Sequence, residues 1–264
     1  MTSNLFRYSY QVGGKTDIGR KRSSNQDAVA SCPELSFFAV IDGMGGLPAS
    51  MPVVEALAET LPQRLREAVA ATGPDSLSAE IAAGILKNTV ENVSDELFCR
   101  FNSDGWGIFG GATLVCVWLV ADHAVFAGLG DCRGYVLRGE GKAICQITED
   151  HNEAAALVRN GTITKREAMR HRGATKLDRF VGMPQPADAD CFVEAMRPGD
   201  SILLCSDGLH GQVYEQEITT ILQSGDSPAD VCAKLIDAAN DAGGSDNVAA
   251  LCIQIEASRR EEME

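Results

Sequence analysis

Residues 37–46 read FFAVIDGMGG, an apolar run that stops at Asp42 and continues into glycines. A short apolar run bounded by Asp and Gly is typical of a buried β-strand that ends in a turn. Residues 202–208, ILLCSDG, repeat this order with Asp207 at the end of the run. We therefore predict two buried strands, each of which ends in a carboxylate followed by a glycine.

The rest of the chain contains more strands of the same kind. Apolar runs predict strands over residues 36–41, 113–120, 124–128, 134–138, 143–148, 201–205 and 248–255. The runs between 112 and 148 are joined by short turns, which suit antiparallel strands, whereas parallel strands need long crossovers. The sequence therefore predicts an α+β fold with antiparallel sheets.

Three segments have helical signals. Apolar residues recur at helical spacing over 53–69 and 81–97, which predicts two long amphipathic helices. Pro62 is expected to kink or divide the first of them. Ser227-Pro228 has the form of an N-cap followed by a proline in the first turn, and it predicts a third helix that ends at Gly243-Gly244.

Composition limits the classes of protein to which the chain can belong. The 264 residues are 45% hydrophobic, and we expect a single domain over 1–264 with a charged, solvated tail at 258–264. No apolar stretch is long enough to cross a bilayer, and the first 15 residues lack the apolar segment of a secretory signal. We therefore expect a soluble cytoplasmic protein. The net charge of -14 disfavours nucleic acid and anionic membranes as partners.

Four aspartates lie where an apolar run meets a glycine or a turn: Asp42, Asp131, Asp207 and Asp246. An ordinary hairpin turn is the simpler explanation for any one of them alone. Four in one chain favour another interpretation, in which the sheet fixes the carboxylates and the nearby glycines let a ligand approach the backbone. Converging carboxylates repel one another, so their assembly makes sense mainly where cations bind.

The type of ligand indicates which ions would bind. Oxygen ligands select hard ions such as Mg²⁺ or Mn²⁺, and the four histidines show no zinc-ligand spacing. Two such ions about 3.5–4 Å apart lower the pKa of a bridging water and clamp the attacking and leaving oxygens of an in-line displacement. The pattern therefore predicts hydrolysis of a phosphate or related ester.

Six short motifs follow one another between about residue 10 and residue 256. They are TDIGRKRSSNQD at 16–27, DGMGG at 42–46, GDCR at 130–133, TEDH at 148–151, SDGL at 206–209 and GSDN at 244–247. In this order they resemble the motifs of the protein phosphatase 2C family, and more narrowly those of its compact bacterial form. Asp-Gly alone would carry no weight, but six ordered motifs do.

The resemblance implies a four-layer α-β-β-α sandwich, in which two antiparallel sheets lie face to face with helices outside each. It also implies the metal ligands. Asp42 would bridge two core ions, the Gly43 carbonyl would complete one of them, and Asp207 with Asp246 would hold the other. Asp131 and Asp207 would contribute to a weaker third ion. The cofactor implied is Mn²⁺ or Mg²⁺.

Arg22 matches the arginine with which the family grips the substrate phosphate, a role that suits its planar fork of donors. The expected catalytic residues are thus Arg22, Asp42 and Asp207, with Arg22 also binding the substrate. Without the surrounding motif, an arginine in a Lys-Arg cluster would more simply be a solvated charge.

The chain departs from the family pattern at several positions. Gln26 stands where a glutamate is common, and we expect weaker binding of the metal that this carboxylate would serve. Met44 and Leu47 stand where histidines occur in other members, so no histidine general acid can be assigned by position. His210 could approach the site, although an exposed loop histidine without a catalytic task is the simpler interpretation.

Residues 152–176 correspond to the flap that borders the active site in the family. The basic residues of this segment are Lys165, Arg166, Arg170, His171 and Arg172. They fit contact with a phosphopeptide, and a solvated helix face explains them almost equally well.

Together these features predict an enzyme that hydrolyses phosphoserine and phosphothreonine in proteins and opposes a bacterial Ser/Thr kinase. The expected partners are phosphorylated proteins, among them the kinase or its targets. Two alternatives stay open. A non-catalytic phosphoprotein-binding regulatory module on the same fold would have little need for clustered acids. A two-metal nuclease or small phosphoester hydrolase is disfavoured, as regards nucleic acid, by the acidic surface and the lack of interleaved basic and aromatic residues.

Overall fold

The computed structural model describes residues 5–102, 108–139, 141, 143–184 and 186–257. Ten strands in this part of the chain are β1 Ser9–Asp17, β2 Asp27–Cys32, β3 Phe37–Gly43, β4 Ala112–Val120, β5 His123–Leu129, β6 Arg133–Leu137, β7 Cys145–Gln146, β8 Asp190–Ala195, β9 Ser201–Cys205 and β10 Val248–Glu256. They form two five-stranded sheets, with the orders β1-β10-β9-β6-β7 and β2-β3-β4-β5-β8. Every pairing within both sheets is antiparallel.

The helices of the described residues are α1 Ser50–Thr72, α2 Ala79–Phe101, α3 Glu153–Arg159, α4 Lys165–Ala168, α5 Asp207–His210, α6 Glu215–Leu222 and α7 Pro228–Asp241. Two single 3₁₀ turns lie at Pro33–Leu35 and Pro74–Ser76. Among the described residues, no helix combines the length and the apolar character that are needed to span a membrane.

Strand β4 shows why the sheets are covered on both faces. Its residues are all buried, and alternate side chains point to opposite faces of a sheet. Val117 packs with Phe38 and Leu251 in a core between the two sheets. Trp118 packs with Leu57 of α1 in a second core on the outer face of its own sheet. A strand that is apolar on both faces needs a layer on each side.

A third core covers the outer face of the other sheet. Leu203 of β9 and Cys252 of β10 pack there with Leu235 of α7 and Ile218 of α6. The layers therefore run helix, sheet, sheet, helix, which confirms the predicted α-β-β-α sandwich.

The structure corrects several details of the sequence-based prediction. Strands β1, β2 and β8 were not predicted, because β1 and β8 carry mostly half-exposed or exposed residues and β2 is rich in small ones. The predicted strand at 143–148 is reduced to the two residues of β7. Pro62 lies inside a single helix, so it does not divide α1.

The start of α7 confirms a local prediction. The Ser227 hydroxyl accepts a hydrogen bond from the Asp230 backbone N–H, and Pro228 occupies the first turn. The helix ends at Asp241, just before Gly243-Gly244. The predicted charged tail at 258–264 lies outside the described residues.

Candidate metal centre

The four predicted aspartates and a fifth, Asp27, meet at one end of the sandwich. Asp42 lies near the end of β3, and its Cα pairs in register with that of Asp27 in β2. Asp207 begins α5 two residues after the end of β9, and Asp246 lies two residues before β10. Asp131 lies in the short connection between β5 and β6. The ends of strands from both sheets thus supply all five carboxylates.

These carboxylates act on one another electrostatically. Burial, followed by repulsion from Asp27, Asp207, Asp131 and Asp246, raises the pKa of Asp42 well above its usual value. Burial, followed by repulsion from Asp207, does the same to the pKa of Asp131. The neighbouring Asp42 carboxyl offsets part of the rise that burial causes in the pKa of Asp27 and of Asp207. Five carboxyl groups therefore share one region, where burial and mutual repulsion disfavour the ionised forms of Asp27, Asp42, Asp131 and Asp207.

Two buried oxygen atoms of this cluster show which positions a cation would satisfy. Asp27 Oδ1 and Asp207 Oδ1 have no hydrogen-bond partner within the described residues. Burial, as the largest cause, raises the pKa of Asp27 to about 7 and that of Asp207 to about 6. An unpaired buried carboxylate oxygen is costly unless it binds a cation or a proton. The residues present therefore fit a divalent cation.

The carboxylate oxygens of this cluster would supply only part of the coordination shell of a metal ion. In the described part of the chain, no three His, Cys, Asp or Glu side chains are arranged so that they could hold a metal ion by themselves. Mg²⁺ commonly uses only one or two carboxylates and completes its shell with water and ligand oxygens. The backbone of Gly43, whose carbonyl is one of the predicted ligands, packs tightly against its neighbours, since an added Cβ would lie 3.1 Å from atoms of Gln26 and Val54.

Arg22 lies beside the acidic cluster, as the sequence predicts. Its Nη2 donates a hydrogen bond of 2.7 Å to Asp246 Oδ2, and this bond is the main cause that raises the pKa of Arg22. The side chain is 42% exposed, so its guanidinium faces solvent at the cluster. Gly45 makes room for it, because a Cβ at that position would lie 2.8 Å from Arg22 Nη1.

Asn247, which the sequence analysis did not assign, holds this region together. Asn247 donates from Nδ2 to the carbonyls of Ile18 and Ser24, each at 2.9 Å, and its Oδ1 accepts from the Gln26 N–H at 2.9 Å. It therefore fastens the loop that carries Arg22. Asn247 belongs to the quoted GSDN motif, so its position in that motif was the available signal.

Asp27 is the acidic residue that the sequence analysis missed. Its Oδ2 accepts a hydrogen bond of 2.6 Å from Ser206 Oγ, which itself accepts from the Ala249 N–H at 2.9 Å. The Asp27 backbone N–H donates to Asn25 Oδ1. The ordered motif at 16–27 ends at this residue, but the strand β2 that aligns it with Asp42 was not predicted.

The structure corrects the interpretation of His210 as an exposed loop residue. The side chain is buried in α5, and its Nε2 lies 2.9 Å from the Asp131 carbonyl oxygen. A carbonyl oxygen only accepts, so Nε2 carries the proton in this contact. Burial lowers the pKa of His210 to about 3. The residue is thus a neutral imidazole that positions the backbone of Asp131.

A buried ion pair adjoins the carboxylate cluster. Arg133 donates from Nε and Nη2 to the two carboxylate oxygens of Asp150 at 2.8 and 2.7 Å, and its Nη1 donates to the Tyr135 hydroxyl at 3.0 Å. Gln146 Nε2 adds a bond to Asp150 Oδ1 at 3.1 Å. Burial alone would raise the pKa of Asp150, but Arg133 outweighs it and lowers that pKa.

The predicted flap consists of α3, α4 and the turns around them. A cavity of about 790 Å³ separates these helices from the junction of α5 and α6, and Asp131, Asp207 and Asp246 lie along it. Lys165 and Arg166 line this cavity, whereas Arg170, His171 and Arg172 do not. The structure therefore brings only two of the five basic flap residues to the cavity beside the acidic cluster.

Comparisons with known proteins agree with this geometry. Residues 16–250 match the family model described as Protein phosphatase 2C. The serine/threonine phosphatase stp of Listeria innocua is 33% identical over 245 residues, which cover 91% of this chain and 94% of that protein.

Solved structures show the same arrangement. The serine/threonine phosphatase Stp1 from Staphylococcus aureus superposes with a TM-score of 0.82 at 27% identity, covering 96% of this chain and 97% of that one. The catalytic domain of the phosphatase PstP, solved in complex with two manganese ions, superposes with a TM-score of 0.76 at 26% identity, covering 94% and 98% of the two chains. The chain therefore belongs to the protein phosphatase 2C family.

Proposed function

We infer that this chain is a metal-dependent protein serine/threonine phosphatase. The observation that carries the inference is a cluster of five carboxylates with two unpaired buried oxygens, beside an exposed arginine, on the protein phosphatase 2C fold. The serine/threonine phosphatase of Listeria innocua, matched over 94% of its length, supports the same activity. The family match over 16–250 and the sandwich support a single catalytic domain.

The ligand assignment is a proposal that the geometry supports. Asp42 and the Gly43 carbonyl, together with Asp207 and Asp246, would hold two core ions of Mn²⁺ or Mg²⁺, and Asp131 with Asp207 would hold a weaker third. The two manganese ions of PstP support manganese and the number two. When bound, such ions polarise the phosphate and a water molecule for in-line displacement at phosphorus.

The chain's own residues bind and orient the substrate. Arg22 presents a planar fork of donors to the phosphate oxygens, and a guanidinium binds such a group through two parallel hydrogen bonds. Asp246 orients this guanidinium through its 2.7 Å hydrogen bond. Asn247 holds the loop on both sides of Arg22, so the guanidinium is placed before the substrate arrives.

Asp27 is a further member of the acidic cluster in this proposal. Ser206 fixes one of its carboxylate oxygens and leaves Oδ1 unpaired, close to Asp42. The neighbouring Gln26 carries a neutral amide where a carboxylate is common in the family, so the centre has one negative charge fewer than in those members. We therefore expect weaker binding of the ion nearest to Gln26.

The substrates that we propose are proteins phosphorylated on serine or threonine, among them a Ser/Thr kinase or its targets. The net charge of -14 disfavours nucleic acid and anionic membranes as partners. A non-catalytic binding module would leave the unbalanced carboxylates without a task, and no specific observation favours it.

Hydrolysis of p-nitrophenyl phosphate and of a phosphothreonine peptide tests the proposal. We expect both to be hydrolysed with Mn²⁺, to a smaller or equal extent with Mg²⁺, and not at all in EDTA. A phosphotyrosine peptide and a single-stranded oligonucleotide serve as substrate controls, and the Asp207→Asn variant controls for contaminating phosphatases. Cleavage of the oligonucleotide in preference to the phosphothreonine peptide would overturn the proposal.

A further inference from the structure

The cavity between the flap and the α5–α6 junction has a lining that the hydrolytic reaction does not require. We call it the flap cavity. Its apolar lining comes from the half-buried or buried side chains of Ile147, Ala155, Val158, Met169 and Val213, with Tyr214 at its exposed edge. Its volume of about 790 Å³ is large enough for a bulky side chain together with some backbone.

The flap cavity is continuous with the candidate metal centre. Asp131, Asp207 and Asp246 lie along one side of it, and α3 and α4 form part of the opposite side. A phosphorylated residue that reaches the carboxylate cluster therefore brings its flanking residues to the mouth of the cavity. Because the cavity and the metal centre are continuous, we take the substrate chain itself as the occupant of the cavity.

The charges around the cavity do not favour a charged occupant. Arg133 is paired with Asp150 at 2.7 Å, Arg159 lies 3.2 Å from Glu149, and Lys165 lies 3.7 Å from Glu215. The Arg166 guanidinium lies over the Tyr214 ring, 5.6 Å from its centroid. Since these cations already have partners, an acidic side chain would gain little, whereas an apolar side chain would bury its surface against the apolar lining.

We propose that the flap cavity receives a large apolar side chain that flanks the phosphorylated residue of the substrate protein, and that it selects such substrates. The proposal rests on the phosphatase activity proposed above. It assigns specificity to the sequence around the phosphorylated residue, which p-nitrophenyl phosphate lacks. Discrimination among peptides is therefore separable from hydrolysis itself.

A set of phosphothreonine peptides tests the proposal directly. In an otherwise Ala/Ser sequence, one leucine is moved through each of the three positions on either side of the phosphothreonine, and kcat/KM is measured with Mn²⁺. We expect at least one position at which leucine raises kcat/KM about tenfold over serine, the lower end of what a pocket gains from burying apolar groups. Equal kcat/KM for all peptides would overturn the proposal.

A matched pair of variants assigns the discrimination to the cavity. Ala155 and Ala156 are neighbours on α3 with similar partial exposure, but only Ala155 lines the cavity. Ala155→Phe fills the cavity and is expected to remove the leucine preference, whereas Ala156→Phe is expected to keep it. Both should hydrolyse p-nitrophenyl phosphate at the wild-type rate, which also shows that they are folded.

A second variant, which enlarges the cavity instead of filling it, tests the proposal even if Ala155→Phe does not fold. Met169→Ala enlarges the cavity and should shift the preference from leucine towards tryptophan at the same position. Retention of the wild-type preference in the folded filling and enlarging variants would contradict the proposal. If the wild-type protein with Mn²⁺ hydrolysed none of the substrates, the proposed phosphatase activity itself would be contradicted. Failure of the cavity proposal can therefore be distinguished from failure of the proposed activity.

Discussion

Two buried groups of charges lie side by side in this molecule, and their balance differs. In the Arg133–Asp150 pair, both carboxylate oxygens of Asp150 accept from one guanidinium, and the pKa of Asp150 is lowered despite burial. In the carboxylate cluster, Asp42 faces four other carboxylates, and its pKa is raised by burial and by their repulsion. One group pairs a single carboxylate with a single guanidinium, whereas the other sets Arg22 against five carboxyl groups.

This difference in pairing distinguishes Asp150, whose charge stabilises the fold, from the clustered carboxylates, whose charges fit a bound cation. Asp150 is satisfied by Arg133 and Gln146, so the protein itself holds it in the ionised form. Asp207 retains an oxygen without a partner in the described residues, and that oxygen is satisfied only by a proton or a cation. The same substitution, Asp to Asn, should therefore have opposite consequences at the two positions.

Asp150→Asn should give the largest effect, on stability. It leaves the buried Arg133 without a counter-charge, and breaking a buried pair in this way costs about 3–5 kcal/mol. Urea unfolding in EDTA measures the free energy of unfolding without a contribution from bound metal. An unchanged midpoint of urea unfolding would contradict the claim that Asp150 stabilises the fold by neutralising the buried Arg133.

Asp207→Asn should act on catalysis instead. Removing one ligand of the proposed ions is expected to lower kcat/KM by about 10²–10³-fold, in the range found for losing one preorganised electrostatic contact. In EDTA the variant should be at least as stable as the wild type, because one repelling charge is gone. A variant with wild-type turnover, or one that is destabilised like Asp150→Asn, would contradict the assignment.

Arg22→Ala should weaken the binding of phosphate in the transition state by about 1.5–3 kcal/mol, the range for a hydrogen bond to a charged group. Arg22→Lys should recover only part of this, because an ammonium restores the charge but not the two parallel donors. The kcat/KM for p-nitrophenyl phosphate measures both effects. Full activity of the lysine variant would exclude bidentate binding.

The smallest expected effect is a pH dependence of stability in the metal-free protein. The pKa of Asp207 is raised from 3.8 to about 6, so the folded state binds more protons than the unfolded state between these values. Its contribution to stability is thus present below about pH 4 and is lost as the pH rises to about 6 and above.

His210 contributes the opposite trend below about pH 6.5, because burial lowers its pKa. Wild type and Asp207→Asn share this histidine, so its contribution cancels in their difference, which reports Asp207 together with the neighbouring carboxyls whose pKa values it raises. In EDTA the melting temperature of the variant relative to wild type should rise by about 2–4 °C between pH 5 and pH 8, which corresponds to about 1 kcal/mol for a chain of this size. A constant difference across this range would show that Asp207 is ionised throughout.

The sequence predicts the two groups of charges unequally well. Asp42, Asp131, Asp207 and Asp246 were identified because each follows or precedes an apolar strand, and the structure does bring them to one end of the sandwich. Asp27 was missed because its strand is short and rich in small residues, so neither β2 nor its register with Asp42 was expected.

Long-range partners account for the rest of what the sequence did not reveal. Arg133 and Asp150 are 17 residues apart, and no local pattern indicates that they pair. His210 lies beside Asp131 only after two separate strands have paired, because Arg133 of β6 aligns with Cys205 of β9. The local signals of β3, β9 and α7 were strong because their apolar runs and caps are continuous in sequence.

Calorimetric titration of Mn²⁺ into the EDTA-treated and dialysed protein tests the central claim most directly, since it measures the proposed ligand without relying on turnover. We expect wild type to bind at least two ions, Asp207→Asn to lose at least one of them, and p-nitrophenyl phosphate hydrolysis to appear as the ions bind. Wild-type protein that hydrolyses the substrate while binding no divalent ion would contradict the account.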